Sequence, residues 1–465
     1  MRAFLVFLAL LLVSPAAYGK DRDGDIDHQI MRGRAAQAVI WGMAAVNTDL
    51  MLQAAKKAGA KENEVVFWSR PPDWRNQTLT PNPDAVYFMV FFNTKDGPVV
   101  IDVPPAGADG SFTGNIDDIW QMALEDVGKL GVDKGAGGKF VVTPPGYSGK
   151  VPDGFSALPA RTYSGYALIR SEPPSHSDAD IAKAVAYGKK LKVYPLAAAT
   201  NPPATRYTDA TDDIFEATIP YDVRFFRSLA RVVDEQPWLE RDKAMIDPLK
   251  SIGIEKGKPF KPDSKLEVAL SAGAGDAHRW LDRKLPTAFE PYFPNTHWAV
   301  PASPDLVKAG SNGYSDADIY PTDARAITYS IGYVGIKRLG TGQFYLLSAA
   351  DRKGRELDGG RRYRLHVPAD APAHQYWSVT AYSRKTHGLI KNVERASRSS
   401  QLTDLVKNAD GSVDIYFGPK PPPGKEANWV PTKKGENFEL LFRLYAPTKA
   451  LFEKTWTLPD VERVK

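Results

Sequence analysis

The sequence predicts a mainly β protein with α, in which two strand-rich regions flank a helical one. Three observations predict it. Gln375-Tyr376-Trp377-Ser378-Val379-Thr380-Ala381-Tyr382 alternates with a period of two, as a strand does when one face packs on a core and the other meets something polar. Between residues 201 and 320 the apolar spacing changes to threes and fours, the period of helices. Finally, 37 glycines and 37 prolines suit a loop-rich β protein better than a helical bundle.

At the N-terminus, Arg2, the apolar run Phe4 to Val13 and the small residues Ala17 and Gly19 have the form of a signal peptide cut before Lys20. Ser14-Pro15 is expected to end any helix there. The run is too short to cross a bilayer and no later stretch is long enough, so export to the periplasm or the extracellular space is expected, with no transmembrane segment after the leader. The sequence contains no cysteine, which excludes disulfides and a lipid-anchored cysteine. A large core must hold the fold unaided.

Gln29 to Lys57 reads as one amphipathic helix, with Val39, Met43, Val46 and Leu50 on one face and Gly59 at the C-cap. From Glu64 the period falls to two. Val86 to Asn93 and Pro98 to Val103 are strands joined by a tight Lys95-Asp96-Gly97 turn, and Lys139 to Thr143 and Tyr166 to Arg170 follow, together an antiparallel sandwich. Ser177 caps a helix with Ile181, Val185, Gly188 and Leu191 inward. In the middle, Phe225, Leu229 and Val232 mark one helix, Ile246, Leu249 and Ile252 a second, and Leu266, Leu270, Ala277 and Trp280 or Leu281 a third, with Gly273 and Gly275 against it. Ala324 to Lys337 is a last helix. Strands return at Gln343 to Ser348, Arg362 to Val367, Tyr376 to Tyr382, Val413 to Phe417 and Phe438 to Tyr445.

Composition excludes several functions. The 60 basic and 55 acidic residues are interspersed, with no basic run, so a mixed solvated surface is expected and no nucleic-acid partner. No Walker loop, Gly-x-Gly-x-x-Gly fingerprint or HExxH occurs, and no cofactor is expected. His366 and His374 flank a proline turn, and Asp351-x-x-Gly354 with Asp358 lacks the carboxylate density of a calcium loop; no metal site is expected.

Several stretches carry a family resemblance. Ala350-Asp351-x-x-Gly354-x-x-Leu357-Asp358-Gly359, Tyr376 to Tyr382, Asn408 to Tyr416, Asn428-Trp429-Val430-Pro431, Arg443-Leu444-Tyr445-Ala446-Pro447 and Trp456 form one set. Thr80-Pro81-Asn82-Pro83-Asp84-Ala85-Val86-Tyr87 and Gly97 to Pro104 form another. Together they resemble the family defined by domain of unknown function 1254 (N-terminal) and domain of unknown function 1214 (C-terminal). The resemblance implies an N-terminal β-sandwich, a helical middle domain and a C-terminal jelly-roll-like β-sandwich, and no settled activity. Ala85 and Ser383 depart from the family pattern, which often has threonine or serine and aspartate there. The expected division is 1–19 signal peptide, 20–62 helical segment, 63–200 first sandwich, 201–320 helical domain and 321–465 jelly-roll.

Candidate binding residues come from this pattern. Ser378 and Tyr382 share the hydroxyl face of their strand with Tyr376 and Thr380. Asn82 and Asp84 flank Pro83 before a strand carrying Tyr87; they either cap their own turn or present a polar pair at the strand mouth. Arg325 and Tyr329, four apart with Asp323 nearby, face an interdomain cleft or form a surface ion pair. Asn428 and Arg443 occupy signature positions. No residue is assigned a catalytic role, and whether the protein is an enzyme stays open. The expected function is binding or acting on a glycan or other polar small molecule in an interdomain cleft. The alternative is a non-catalytic envelope or interaction protein, oligomeric through its sandwich faces.

Overall fold

The computed structural model describes residues 15–332, 335–337 and 342–464, with side chains from Ile26 onward. The apolar run Phe4 to Val13 of the expected leader lies outside the described residues. The first helix is Pro15–Lys57, longer than the expected Gln29 to Lys57. Pro15, expected to end any helix, is the first described residue of this one, and Ser14 lies outside the described residues. Val39, Met43 and Val46 are fully buried as their spacing requires. Gly59, at φ +97°, ends the helix, with Ala60 N–H reaching Ala55 C=O at 3.0 Å.

Two sheets follow, packed face to face. The larger has the order Tyr207–Asp209, Val65–Phe67, Val86–Asn93, Ser164–Ser171, Phe112–Asp118, Ala123–Gly128; the smaller runs Lys192–Pro195, Val99–Val103, Gly138–Thr143, Phe155–Pro159. The sandwich is not wholly antiparallel, because Val65–Phe67 pairs parallel with Tyr207–Asp209 and Gly138–Thr143 with Phe155–Pro159. Alternation along the 86–93 strand sends Phe88, Val90 and Phe92 into the sandwich core with Ile101, Phe140 and Ile169. Tyr87, Met89 and Phe91 point the other way, under Met51, Leu52 and Ala55 of the first helix. Ser177 caps Asp178–Gly188 as expected, its Oγ accepting from Asp180 N–H.

The first helix continues as the axis of the helical middle, where it packs against Val223–Glu235, Ser264–Lys284 and Thr322–Ser330 around Phe225, Leu229 and Leu270. Ser264–Lys284 is unbroken despite its glycines. A Cβ on Gly273 would sit 2.5 Å from Arg32 C=O and 2.6 Å from the Ala35 methyl, so glycine permits this close helix crossing. The helix expected to reach Lys337 ends at Ser330. Gly332, at φ +101°, turns the chain where a Cβ would meet Thr80 Oγ1 at 2.5 Å.

The C-terminal region is again two sheets. One joins Gln343–Ser348, Asn437–Pro447, Ala373–Ser383 and Ser397–Ser399, with Leu357–Asp358 beside the second of these; the other joins Trp429–Pro431, Val413–Gly418, Arg362–Val367 and Glu462–Val464. Trp377, Val379 and Ala381 face their shared core as alternation requires, with the Trp377 ring stacked on Phe442 at 5.5 Å. Burying a side chain the size of Val379 or larger here contributes on the order of 2 kcal/mol. Among the described residues no helix is long and apolar enough to cross a membrane.

Candidate functional site

The hydroxyl face of the Ala373–Ser383 strand is expected to be available to a ligand, and in the structure it is buried against the N-terminal half of the chain. Strand register makes this face a grid. Tyr345, Arg443, Ser378 and Ser399 form one row, Gln343, Tyr445 and Tyr376 the row on one side, and Leu347, Leu441, Thr380 and Ser397 the row on the other. Opposite lies the outer face of the larger N-terminal sheet, whose rows are Tyr87, Arg170 and Thr113, then Met89, Leu168 and Asn115, then Phe91, Tyr166 and Asp117. Two sheet faces of mixed polar and apolar side chains are thus turned toward each other, one from each sandwich.

Between them is a cavity of about 110 Å³. Tyr87, Met89, Tyr166, Leu168 and Arg170 line it from one sheet, and Gln343, Tyr345, Leu441 and Arg443 from the other. Asn47 and Met51 of the first helix, the turn from Thr78 to Asn82, and Ile331, Gly332 and Ile336 close its sides.

The 78–82 turn is held by both halves. Thr80 has φ +40°, a conformation that a β-branched residue rarely adopts. Its N–H donates to His387 C=O at 2.7 Å, its Oγ1 to Ile331 C=O at 3.0 Å, and its carbonyl accepts from Arg443 Nη2 at 2.8 Å. Asn82 combines both expected roles. Its Oδ1 accepts from Asp84 N–H at 3.1 Å, and its Nδ2 donates to Tyr445 Oη at 2.8 Å and Tyr376 Oη at 3.1 Å. Asn82 N–H donates to Tyr87 Oη at 2.8 Å. Arg443 donates to Thr380 Oγ1 at 3.0 Å and to Tyr382 Oη at 2.7 Å, and Tyr382 donates to Pro81 C=O at 2.6 Å.

Five of the nine candidates therefore gather here: Asn82, Tyr87 and Arg443 on the cavity wall, with Tyr382 and Ser378 beside Arg443. Ser378 is fully buried and its Oγ has no partner among the described residues. Asp84 lies behind the turn, fully buried, where its Oδ1 accepts from Ser397 Oγ at 3.0 Å and stands 3.4 Å from His176 Nε2. The other three are elsewhere. Arg325 faces neither an interdomain cleft nor a surface ion pair; it is buried in the helical middle, donating to Trp41 C=O at 2.5 Å and Tyr320 Oη at 2.6 Å, while Asp323 is exposed. Tyr329 donates to Gln121 C=O at 2.8 Å and lines a smaller neighbouring cavity. Asn428 ties two loops of the C-terminal sandwich through Val406 and Asp414 backbones. His366, weighed as a ligand, pairs with Asp414 at 2.8 Å.

Sequence reasoning missed Arg170, Tyr166, Tyr345 and Tyr445 as site residues, and placed Tyr376 on the hydroxyl face without naming it a candidate. Tyr376 and Tyr445 stack with ring centroids 4.3 Å apart, and Tyr445 Oη lies 3.3 Å from Tyr345 Oη, which donates to Gln343 Oε1 at 2.7 Å. The signal for them was the period of two itself: Tyr166, Leu168 and Arg170 alternate, as do Arg443 and Tyr445.

Burial, with the negative charge of Glu172 and Asp84 adding to it, holds Tyr376 well above the usual phenol range, and burial does the same to Tyr445. Burial pushes the Glu172 carboxyl up to about 7 against the opposing pull of Arg170 and Lys129. Asp117, beside Tyr166 in its row, is raised well above the carboxylate range by burial and by Asp126 and Asp118. Tyr376, Tyr445, Glu172 and Asp117 are therefore biased toward their neutral forms.

Residues 62–195 match the family described as protein of unknown function DUF1254, and residues 342–449 match the one described as protein of unknown function DUF1214. No curated protein matches the chain. Among solved structures, the VPA0106 protein from Vibrio parahaemolyticus is similar at 19% identity and a TM-score of 0.57, over 94% of this chain and 100% of that one. An uncharacterized protein from Burkholderia cenocepacia is similar at 13% identity and a TM-score of 0.40, over 95% and 96%. The first of these likenesses is one of fold.

Proposed function

We propose, for a chain that belongs to the family joining the DUF1254 and DUF1214 domains, that it is an exported protein binding a small molecule with a polar end in the cavity between its two sandwiches. The observation that carries this reading is the convergence of Arg170, Arg443 and Tyr87 from two facing sheets onto one cavity. A wall with a few convergent polar groups among apolar ones is the usual form of a small-molecule site. Strain at Thr80 supports it, since such backbone persists where surrounding bonds over-determine it.

The wall also argues for binding over hydrolysis. The described lining residues include no Asp, Glu or His, so a glycan-cleaving pair of carboxylates has no members there. Met51, Met89, Leu168 and Leu441 favour a ligand with an apolar body over a bare sugar. Burial of the hydroxyl face inside the chain weighs against the alternative, an interaction protein assembling through that face. Export rests on the leader chemistry of Met1 to Gly19.

A thermal-shift series of sugars, organic acids and divalent metals tests the reading, run on the mature protein and on Leu168→Trp, which fills the cavity. At least one compound should raise the melting midpoint of the first and not of the second. A wild-type midpoint unmoved by every compound, or a shift that survives in Leu168→Trp, would count against it.

A further inference from the structure

We propose that the ligand is a small organic carboxylate, its anionic end seated between Arg170 and Arg443 beside the Tyr87 hydroxyl. This rests on the cavity being a ligand site and names the chemistry it selects.

Both guanidiniums are buried, with Arg170 5% and Arg443 1% exposed. Neither has a carboxylate within ion-pair distance among the described residues. Among the described residues the acceptors of Arg443 are all neutral: a threonine hydroxyl, a tyrosine hydroxyl and a backbone carbonyl. Among the described residues Arg170 donates to Tyr87 Oη alone, at 3.5 Å, and sits 5.4 Å from the centre of that ring. Arg443 lies 5.2 Å from the centre of the Tyr345 ring. Such ring contacts attract a cation weakly and do not neutralise it.

An uncompensated buried cation is costly, and two sharing one cavity are more so. The surrounding groups do not supply the missing charge. Tyr376 and Tyr445 are held in their neutral forms by burial, and Glu172 and Asp117, the carboxyls that act on Arg170, are themselves pushed toward neutrality. Donors dominate what remains: among the described residues Arg170 Nη1 and Arg443 Nε have no partner, and Tyr87 Oη, which already accepts from Asn82, has a proton to give. Planar guanidiniums match the geometry of a carboxylate. The aliphatic and thioether wall then suits the organic remainder rather than a fully hydrated inorganic ion.

Calorimetric titration with hexanoate and benzoate, each beside its neutral amide, and with inorganic phosphate tests this. Arg170→Gln is the informative variant, because Arg443 also anchors Thr80 and Tyr382 and its loss would disturb the wall. In the wild type the acids should bind at least about tenfold tighter than the amides, and in Arg170→Gln the ratio of acid to amide affinity should fall to about one. Acids and amides binding alike would overturn the carboxylate assignment and leave the cavity standing as a ligand site. Phosphate outcompeting hexanoate, or an acid preference that survives in Arg170→Gln, would overturn the assignment as well. Absence of binding by every compound would overturn it together with the cavity reading.

Discussion

Asn82 Nδ2 donates to Tyr445 Oη at 2.8 Å across 363 positions of sequence. One side-chain amide of the N-terminal half thereby holds a tyrosine of the last long strand, and the stacked Tyr376 beside it, while its own carbonyl oxygen closes a local turn. The cavity wall depends on this pair.

Asn82→Ala leaves two buried tyrosine hydroxyls and the Asp84 N–H short of a partner, and should lower unfolding free energy by about 2–3 kcal/mol. Urea denaturation of the variant and of Tyr445→Phe checks it. Tyr445→Phe should cost less, about 1 kcal/mol, because it removes one of the bonds Asn82 makes and the longer contact to Tyr345 Oη while Asn82 keeps Tyr376 and Asp84 N–H.

Two glycines of one helix should respond with opposite signs. Gly273→Ala drives a methyl into Arg32 C=O and Ala35 and should destabilise by about 1–3 kcal/mol. At Gly275 the nearest atom to an added Cβ is the mobile end of Arg279 at 3.4 Å, so Gly275→Ala should stabilise by up to about 1 kcal/mol. Thermal melts of both variants decide it.

Glu172 gives a pH dependence. Its carboxyl lies near 7 in the fold against 4.5 ordinarily, so the folded protein holds this proton more tightly than the unfolded chain. The stability this adds is complete below about pH 4.5 and is lost as pH rises through about 7. Arg170, Lys129, Tyr376 and Tyr445 are the charged or titratable groups around it. Glu172→Gln should therefore match the wild type near pH 4 and exceed it near pH 8, by on the order of 2 kcal/mol. Denaturant midpoints measured across that range check the sign.

Arg443→Lys should show how far the strained turn depends on the guanidinium. Lysine has no planar fork to reach Thr380, Thr80 C=O and Tyr382 together, so amide exchange of the Thr80 N–H should accelerate by about tenfold or more. Exchange measured by NMR reads this directly.

Much of the architecture was legible because alternation and turn residues are local. Val86–Asn93, Gln343–Ser348 and Arg362–Val367 fall where their period of two places them. Phe112–Asp118 and Ala123–Gly128 escaped notice because asparagine, aspartate and glycine, poor strand formers, occupy the face turned to the other sandwich. The hydroxyl side of Tyr376 to Tyr382 was readable as polar, but what covers it was not. A strand pattern reports which residues share a face, whereas the partner of that face is set by contacts hundreds of positions away, such as Asn82 with Tyr445. Arg325 illustrates the same gap: its helical spacing from Tyr329 was evident, and its burial against Trp41 was not.

The most direct test uses methyl-labelled methionine, of which the chain has seven. Met51 and Met89 line the cavity, whereas Met245 packs in the helical middle. Titration with hexanoate, followed by methyl NMR, should move the Met51 and Met89 resonances together and leave Met245 in place. Saturable movement of Met245 with Met51 and Met89 unchanged would contradict a site between the two facing sheets.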